Sequence, residues 1–172
     1  MDAIQTLLEL FGRIPEHVTE AVDGLTAEEL TTAPEPGSNT IGWLVWHLTR
    51  VQDEHITELL DGQQQIWVTE PWPERFGLTP DPANTGFGHT ADEVMKVRPD
   101  GPDALVGYYL AVHARTDDYL RTLTEPDLDR IVDTRWDPPV TLGVRLASIA
   151  DDDIQHAGQA AYVRGLLSRR RA

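Results

Sequence analysis

The sequence predicts an all-α fold, a bundle of four helices, and three observations support that prediction. Four stretches repeat apolar residues at three- and four-residue steps, which is the period of an amphipathic helix. Segments rich in proline and glycine separate these stretches. The length of 172 residues suits one bundle core that buries about two-thirds of the surface of the unfolded chain. We therefore expect a single domain over residues 1–172.

The first helix is predicted from Ala3 to Val22. Its apolar positions follow the helical period: Ile4, Leu7, Leu8, Phe11, Ile14 and Val18. Pro15 lies inside this stretch and lacks a backbone N–H, so we expect a kink or a break in the helix there.

The second helix is predicted from Thr40 to Leu60, after a rigid linker at residues 33–37. Ser38 or Asn39 can cap its first turn, because a short polar side chain accepts a hydrogen bond from a free backbone N–H. The apolar stripe of this helix consists of Ile41, Leu44, Leu48, Val51 and Leu59. His47 lies at the edge of that stripe.

A long irregular segment, residues 61–102, separates the second helix from the third. It contains many proline and glycine residues and four large aromatic residues: Trp67, Trp72, Phe76 and Phe87. Such a long segment inside a compact domain is typical of a functional loop or of a crossover, and here it can be both. A short helix is predicted to begin near Thr90.

The last two helices are predicted from Asp103 to Leu123 and from Leu142 to Leu167. Between them, Trp136 precedes the sequence Asp137-Pro138-Pro139, which cannot lie inside a helix. Thr141 is the predicted cap of the last helix.

The chain is strongly acidic, with a formal charge of −15. Such a surface repels the phosphates of nucleic acids and the head groups of anionic lipids. We therefore expect no nucleic acid and no membrane as a partner, and we expect a small-molecule substrate. A homodimer is the candidate assembly. The basic run at residues 169–171 is expected to be solvated.

The chain contains no cysteine. This excludes disulfide bonds, cysteine-ligated zinc and a cysteine nucleophile, so thiol chemistry requires a thiol that a substrate brings. The first residues lack the basic and then apolar pattern of a signal peptide, and no segment approaches about 18 continuous apolar residues. We expect a cytoplasmic protein.

Three potential metal ligands lie in two of the predicted helices. Asp152 and His156 are four residues apart, so they lie one turn apart on the same face of the fourth helix. His47 of the second helix can complete a set of two imidazoles and one carboxylate. Such a set gives a divalent ion three protein bonds and leaves positions open for water or substrate, as catalytic sites do.

The surroundings of Asp152, Asp153 and His156 support this interpretation. At about 100° per residue, all three lie in an apolar stripe that faces the core. A carboxylate buried there without a partner is strongly destabilising or becomes protonated, and a cation is the simplest compensation. The alternative is an ion pair within the bundle, either Asp with His or Asp with Arg50 or Arg145.

The motifs around these residues resemble those of the DinB-like superfamily of four-helix metalloproteins. They are W-x-x-x-H-L from Trp43 to Leu48, D-x-x-x-H-x-G-Q from Asp152 to Gln159, and the sequence Tyr162-Val163-Arg164-Gly165. Within the superfamily, the chain looks like the metal-binding domain of mycothiol-dependent maleylpyruvate isomerase, from about residue 3 to residue 168. This resemblance implies an up-down-down-up bundle, in which a long aromatic crossover joins parallel second and third helices.

The resemblance also implies the ligands. In that superfamily one histidine comes from the second helix, while an acidic residue or histidine and a further histidine four residues later come from the fourth. His47, Asp152 and His156 fall on these positions. Asp152 departs from the pattern, since relatives of this type carry Glu or His, so the ion must lie closer to the helix or Asp153 takes part. Zinc is the default ion, and nickel, iron or manganese fits the same ligands.

Three further residues are predicted to serve the site. Gln159, one turn after His156, is the candidate for hydrogen-bonding a water on the metal. Glu54, on the same face as His47, is a candidate for orienting a ligand or handling protons, and an ordinary solvated glutamate is the alternative. Trp43 is the candidate cofactor-binding residue in an aromatic wall over the open metal positions, and packing at the end of the bundle is the alternative.

Two functions follow. The resemblance implies a metal-dependent thiol S-transferase, in which the ion lowers the pKa of a small thiol such as mycothiol and presents the thiolate to an electrophilic small molecule. The alternative is a non-catalytic bundle that binds a metal or a small ligand and has a stress-related or regulatory role.

Overall fold

The computed structural model describes residues 1–170, which are mainly helical. In chain order, the helices are α1 (Ala3–Val22), α2 (Ala27–Leu30), α3 (Ile41–Glu58), α4 (Ile66–Thr69), α5 (Trp72–Arg75), α6 (Ala91–Val94), α7 (Pro102–Arg121) and α8 (Leu142–Arg169). A 3-10 helix (Glu125–Asp129) and an antiparallel hairpin of two short strands, β1 (Ile131–Asp133) and β2 (Val140–Thr141), lie between α7 and α8. Arg171, the last residue of the basic run, lies outside the described residues.

The four long helices, α1, α3, α7 and α8, confirm the predicted all-α bundle, and their ends lie within about two residues of the predicted ends. Pro15 does not break α1, because a proline inside a helix removes a single backbone hydrogen bond and the turns on both sides continue. Thr40, rather than Ser38 or Asn39, caps α3. The cap must directly precede the first helical residue, and the Thr40 hydroxyl accepts a hydrogen bond from the Trp43 backbone N–H at 3.0 Å.

The predicted cap of the last long helix is confirmed. The Thr141 hydroxyl accepts a hydrogen bond from the Val144 backbone N–H at 3.4 Å. The two strands that precede it pair over a few residues only, so the hairpin does not alter the fold class. It places Trp136 and its neighbours beside the first turns of α8.

Each long helix packs against two others. α3 and α1 both lie beside α7 and α8, while α1 and α3 barely touch and therefore occupy opposite corners of the bundle. Arg50 and Thr57, one after the other along α3, hydrogen-bond to Tyr108 and Arg115, which follow each other along α7. α3 and α7 thus run in the same direction, which is the relation that an up-down-down-up arrangement requires.

The segment between α3 and α7 is a compact crossover that contains the short helices α4, α5 and α6. Trp67 and Phe76 from this crossover are completely buried and pack around Tyr108 of α7. Phe87, by contrast, is almost fully exposed. The crossover therefore contributes several buried side chains to the core, while most of its residues are exposed.

A buried ion pair in α3 holds the crossover. Asp53 accepts hydrogen bonds from the backbone N–H groups of Ile66 and Trp67 at 3.0 and 2.8 Å. Arg50 donates to the carbonyl oxygens of Pro82 and Asn84 at 2.9 and 3.1 Å. Both side chains are fully buried and lie 3.4 Å apart, so irregular backbone is satisfied inside the protein by charged groups.

The apolar core extends through all four long helices and includes Trp46, Leu48, Tyr109, Val112 and Leu146. Most of the driving force for folding comes from this burial of apolar surface. None of the helices in residues 1–170 is long and apolar enough to span a membrane.

Candidate metal centre

The structure brings together His47, Asp152 and His156, the three residues that the sequence predicts as ligands. One potential ligand atom from each lies within 4.8 Å of the other two. α3 and α8 achieve this by running antiparallel, so that His47 lies beside His156 while His55, two turns later, lies beside Arg145. Three donor atoms from two helices thus converge on one point.

The buried histidine, His47, is held in the tautomer that a metal needs. Its Nδ1 lies 2.5 Å from the backbone carbonyl oxygen of Thr85 in the crossover. A carbonyl can only accept, so Nδ1 carries the proton and Nε2 keeps a free lone pair. Burial lowers the pKa of His47, although the hydrogen bond to Thr85 and the charge of Asp152 act in the opposite direction. The imidazole is therefore neutral, as a metal ligand must be.

The half-exposed histidine, His156, has a similar arrangement on α8. Its Nδ1 lies 2.8 Å from the side-chain oxygen of Gln159, and its Nε2 lies 3.5 Å from Oδ1 of Asp152. Burial lowers the pKa of His156, but hydrogen bonds to Asp152 and Gln159 and the charge of Asp152 together raise it above its usual value. A proton on Nε2 and a cation would therefore be stabilised by the same carboxylate, that of Asp152.

The residues present fit a divalent ion. Oδ2 of Asp152 is buried and has no hydrogen-bond partner among residues 1–170. Two imidazole nitrogens and one carboxylate form a ligand set that zinc and related ions accept, with coordination positions left open. The alternative of an Asp–Arg pair at this place is wrong, because Arg50 pairs with Asp53 and Arg145 pairs with Asp133.

Asp153 does not join the two histidines. It follows Asp152 by about 100° around α8, so its side chain is fully buried on the core side. Both of its oxygens lack a hydrogen-bond partner in the described part of the chain. Burial, and then the charge of Asp152, raise the pKa of Asp153 well above its usual value, which favours the neutral carboxyl group.

The structure also shows what the other predicted site residues, Gln159, Trp43 and Glu54, contact. Gln159 contacts the ligand His156 itself, through the Nδ1 hydrogen bond. The indole of Trp43 stacks on the ring of His47, with 4.6 Å between ring centroids and 15° between planes, and its edge faces His156. Trp43 is buried and thus forms one wall of the centre. Glu54 makes no hydrogen bond to either histidine, and the Nδ1 atoms of the two histidines bond to Thr85 and Gln159 instead. The role of Glu54 with protons stays a prediction.

The crossover supplies residues that the sequence analysis missed. Gly86, with φ of +93°, packs directly on the centre: a Cβ atom there would lie 2.9 Å from Nδ1 of His47 and 2.9 Å from the Trp46 ring. His89 accepts a hydrogen bond from the Trp43 indole at 3.1 Å. The only signal in the sequence is Gly86-Phe87-Gly88-His89, and glycines in a loop do not reveal what the loop touches.

Comparison with known proteins gives a family and two similar folds. The DinB superfamily matches residues 10–160. The solved structure of a conserved protein of Enterococcus faecalis is 35% identical in sequence to this chain. The match includes 96% of this chain and 97% of that protein, with a TM-score of 0.86. YfiT from Bacillus subtilis, described as a probable metal-dependent hydrolase with an unusual four-helix bundle topology, shares 20% identity over 97% of this chain and 86% of its own, with a TM-score of 0.64. No curated protein matches the chain.

Proposed function

The chain belongs to the DinB superfamily, and we propose that it holds one divalent ion, zinc by preference, through His47, Asp152 and His156. The observation that carries this proposal is the convergence of the three donor atoms within 4.8 Å. The similarity of the fold to YfiT, a probable metal-dependent hydrolase, supports it. A bound ion with open positions would lower the pKa of a coordinated thiol or water and polarise an electrophile.

The reaction that we propose is transfer of a small thiol, such as mycothiol, to an electrophilic small molecule. The chain has no cysteine, so the sulfur comes from the co-substrate. With a chlorinated aromatic as the electrophile, the C–S bond forms, the C–Cl bond breaks, chloride leaves and the proton of the thiol passes to water. The resemblance of the motifs to those of mycothiol-dependent isomerases supports the thiol.

The side chains of this protein orient the ligands and shield the centre. The Thr85 backbone carbonyl and the Gln159 side-chain oxygen accept from Nδ1, so Nε2 of each neutral histidine carries the lone pair that an ion would take. Trp43 covers the ring of His47 and excludes water from that side. Asp152 remains partly exposed, so substrates reach the centre from its side.

The experiment measures conjugation of mycothiol and of other small thiols to chlorodinitrobenzene by the metal-loaded protein. We expect acceleration by wild type and by His17→Ala, which changes an exposed histidine of α1, a helix that carries none of the candidate ligands. We expect none by His156→Ala, with an unchanged helical circular dichroism spectrum.

Three outcomes separate the alternatives. Equal rates for wild type and His156→Ala would contradict the proposal. Metal-dependent hydrolysis of nitrophenyl esters without any thiol would favour the hydrolase. Neither activity, together with a large metal-dependent rise of the melting temperature, would favour the non-catalytic binding module.

A further inference from the structure

An open cleft of about 570 Å³ leads to the candidate metal centre along α8. Val144, Arg145, Ser148 and Asp152 line it on successive turns of that helix. At 1.5 Å per residue, the eight steps along the helix from Val144 to Asp152 span about 12 Å. The cleft therefore has the length of a small molecule, and the candidate ligand Asp152 lies at one end of it.

An exposed tryptophan marks the other end. Trp136 of the hairpin lines the cleft and is 66% exposed, although its ring is among the largest apolar surfaces in the chain. It makes no ring contact or hydrogen bond within residues 1–170, whereas Trp43, Trp46 and Trp67 all pack into the interior. An aromatic face left open inside a cleft is a surface on which a flat ligand can stack.

Two arginines supply hydrogen-bond donors at the same end of the cleft. Arg135 binds Asp133 through two hydrogen bonds of 2.9 and 2.8 Å, and Arg145 binds the same carboxylate at 2.8 Å. Two guanidinium groups thus share one carboxylate in a chain whose formal charge is −15. Glu58 lies 3.8 Å from Arg145, and the charges of Glu58 and Glu54 also act on Arg135, so this end carries no excess of positive charge. What Arg135 offers is geometry: its side chain is 73% exposed, and its Nη1 makes no hydrogen bond within residues 1–170.

We propose that this cleft binds the electrophilic substrate of the metal-dependent reaction, and that the substrate is a flat aromatic molecule with a carboxylate. Its ring stacks on Trp136, its carboxylate binds the free edge of Arg135, and the rest of the molecule extends along α8 towards Asp152. That this ligand is a substrate rests on the proposed function, whereas its binding to the cleft does not depend on that function.

The test is calorimetric titration of the full-length, metal-loaded protein with phenylpropionate and with its uncharged amide. We expect the acid to bind roughly tenfold more tightly than the amide, as a charge-assisted hydrogen bond allows. Arg135→Gln should remove this preference, and Trp136→Ala should weaken the binding of both compounds by roughly tenfold. Arg121→Gln and Tyr162→Ala, an exposed paired arginine and an exposed aromatic outside the cleft, should change neither affinity.

Titration of His156→Ala distinguishes this inference from the proposed function. We expect the preference for the acid to persist in that variant, since Arg135 and not the ion binds the carboxylate. Loss of the preference in His156→Ala would show that the carboxylate binds the ion and would overturn the inference. Equal affinities for acid and amide, or affinities untouched by Trp136→Ala and Arg135→Gln, would also overturn it. The metal content of the same samples reports on the proposed function separately.

Discussion

The two candidate histidine ligands are held by the same kind of contact. In each, Nδ1 is bonded to an oxygen atom, from the Thr85 backbone for His47 and from the Gln159 side chain for His156. Such contacts fix the tautomer and the ring orientation before an ion arrives. The backbone contact cannot be removed by substitution, but the Gln159 contact can.

We expect Gln159→Leu to lower the affinity for zinc by roughly tenfold to a hundredfold, because the ring of His156 loses its fixed orientation. Competition with a chromophoric chelator measures this affinity. Gln155→Leu is the matched control, since Gln155 is exposed on the same helix and its amide donates to Asp151, which is not a candidate ligand. Equal affinities for the two variants would show that Gln159 does not position a ligand.

The affinity for zinc should fall with pH, and His156 sets where the fall begins. Metal binding requires a neutral imidazole, so an ion displaces the proton that His156 shares with Asp152. Because the pKa of His156 is raised, acidification should begin to lower the affinity for zinc while the pH is still above about 6.5, the ordinary pKa of histidine. The lowered pKa of His47 adds no competition in that range. An affinity that stays constant from about pH 8 to about pH 6 would contradict this assignment.

In the metal-free protein, protonation of His156 stabilises the folded state, whereas in the metal-loaded protein it competes with the ion. A raised folded-state pKa means that protonated His156 contributes stability below its unfolded pKa. That contribution is lost as the pH rises through the folded pKa. Comparison of wild type with His156→Ala, both without metal, isolates it.

The crossover between α3 and α7 is the element that completes the centre. It brings the Thr85 carbonyl and Gly86 against His47, and the buried pair of Arg50 and Asp53 holds its backbone. The contact made at His47 thus depends on how an irregular segment packs, and it can be altered without touching any candidate ligand.

We expect Gly86→Ala to weaken zinc binding by roughly tenfold, because a Cβ would displace His47 or move the Thr85 carbonyl. Gly88→Ala is the control. Both glycines have positive φ, at +93° and +75°, so both variants bear the backbone strain, but nothing lies within 4 Å of a Cβ at Gly88. If both variants lost equal affinity for zinc, the backbone strain and not the contact would be the cause.

We expect Arg50→Met to lower the free energy of unfolding by about 3 kcal/mol, because it breaks the fully buried pair and leaves the Asp53 charge with the more distant Arg115, at 3.8 Å. Arg121→Met removes an exposed pair with Asp117 and should lower it by less than about 1 kcal/mol. Urea denaturation of both variants measures the difference. Similar values for the two would mean that water reaches the Arg50 site.

The helices follow from the sequence, while the crossover contacts do not. Apolar periodicity gave the four long helices, and the four-residue spacing of Asp152 and His156 placed both on one face, because these are local properties of a helix. The backbone carbonyls that contact Nδ1 of His47 and the Arg50 guanidinium belong to residues 32 to 38 positions away in the irregular crossover. Only tertiary packing decides such contacts, so composition identified the crossover without identifying what it touches.

Across the whole molecule, the candidate centre lies at the edge of the apolar core, with His47 buried against Trp43. The core extends through all four long helices, whereas Asp152 and His156 are only partly buried at its edge. Loss of an ion therefore leaves the main source of folding free energy in place. For this reason, ligand variants should remain folded, and their metal content can be compared directly with that of wild type.

The central claim is that His47, Asp152 and His156 together hold one divalent ion. The most direct test is elemental analysis of untagged protein, after zinc loading and removal of free metal, for wild type and for an alanine variant of each residue. We expect about one ion per wild-type chain and at least a tenfold loss of occupancy in each variant, since two remaining ligands bind weakly. Asp151→Ala, which changes the exposed neighbour of Asp152, should keep full occupancy. Wild-type occupancy near zero, or occupancy that none of the three substitutions reduces, would contradict the claim.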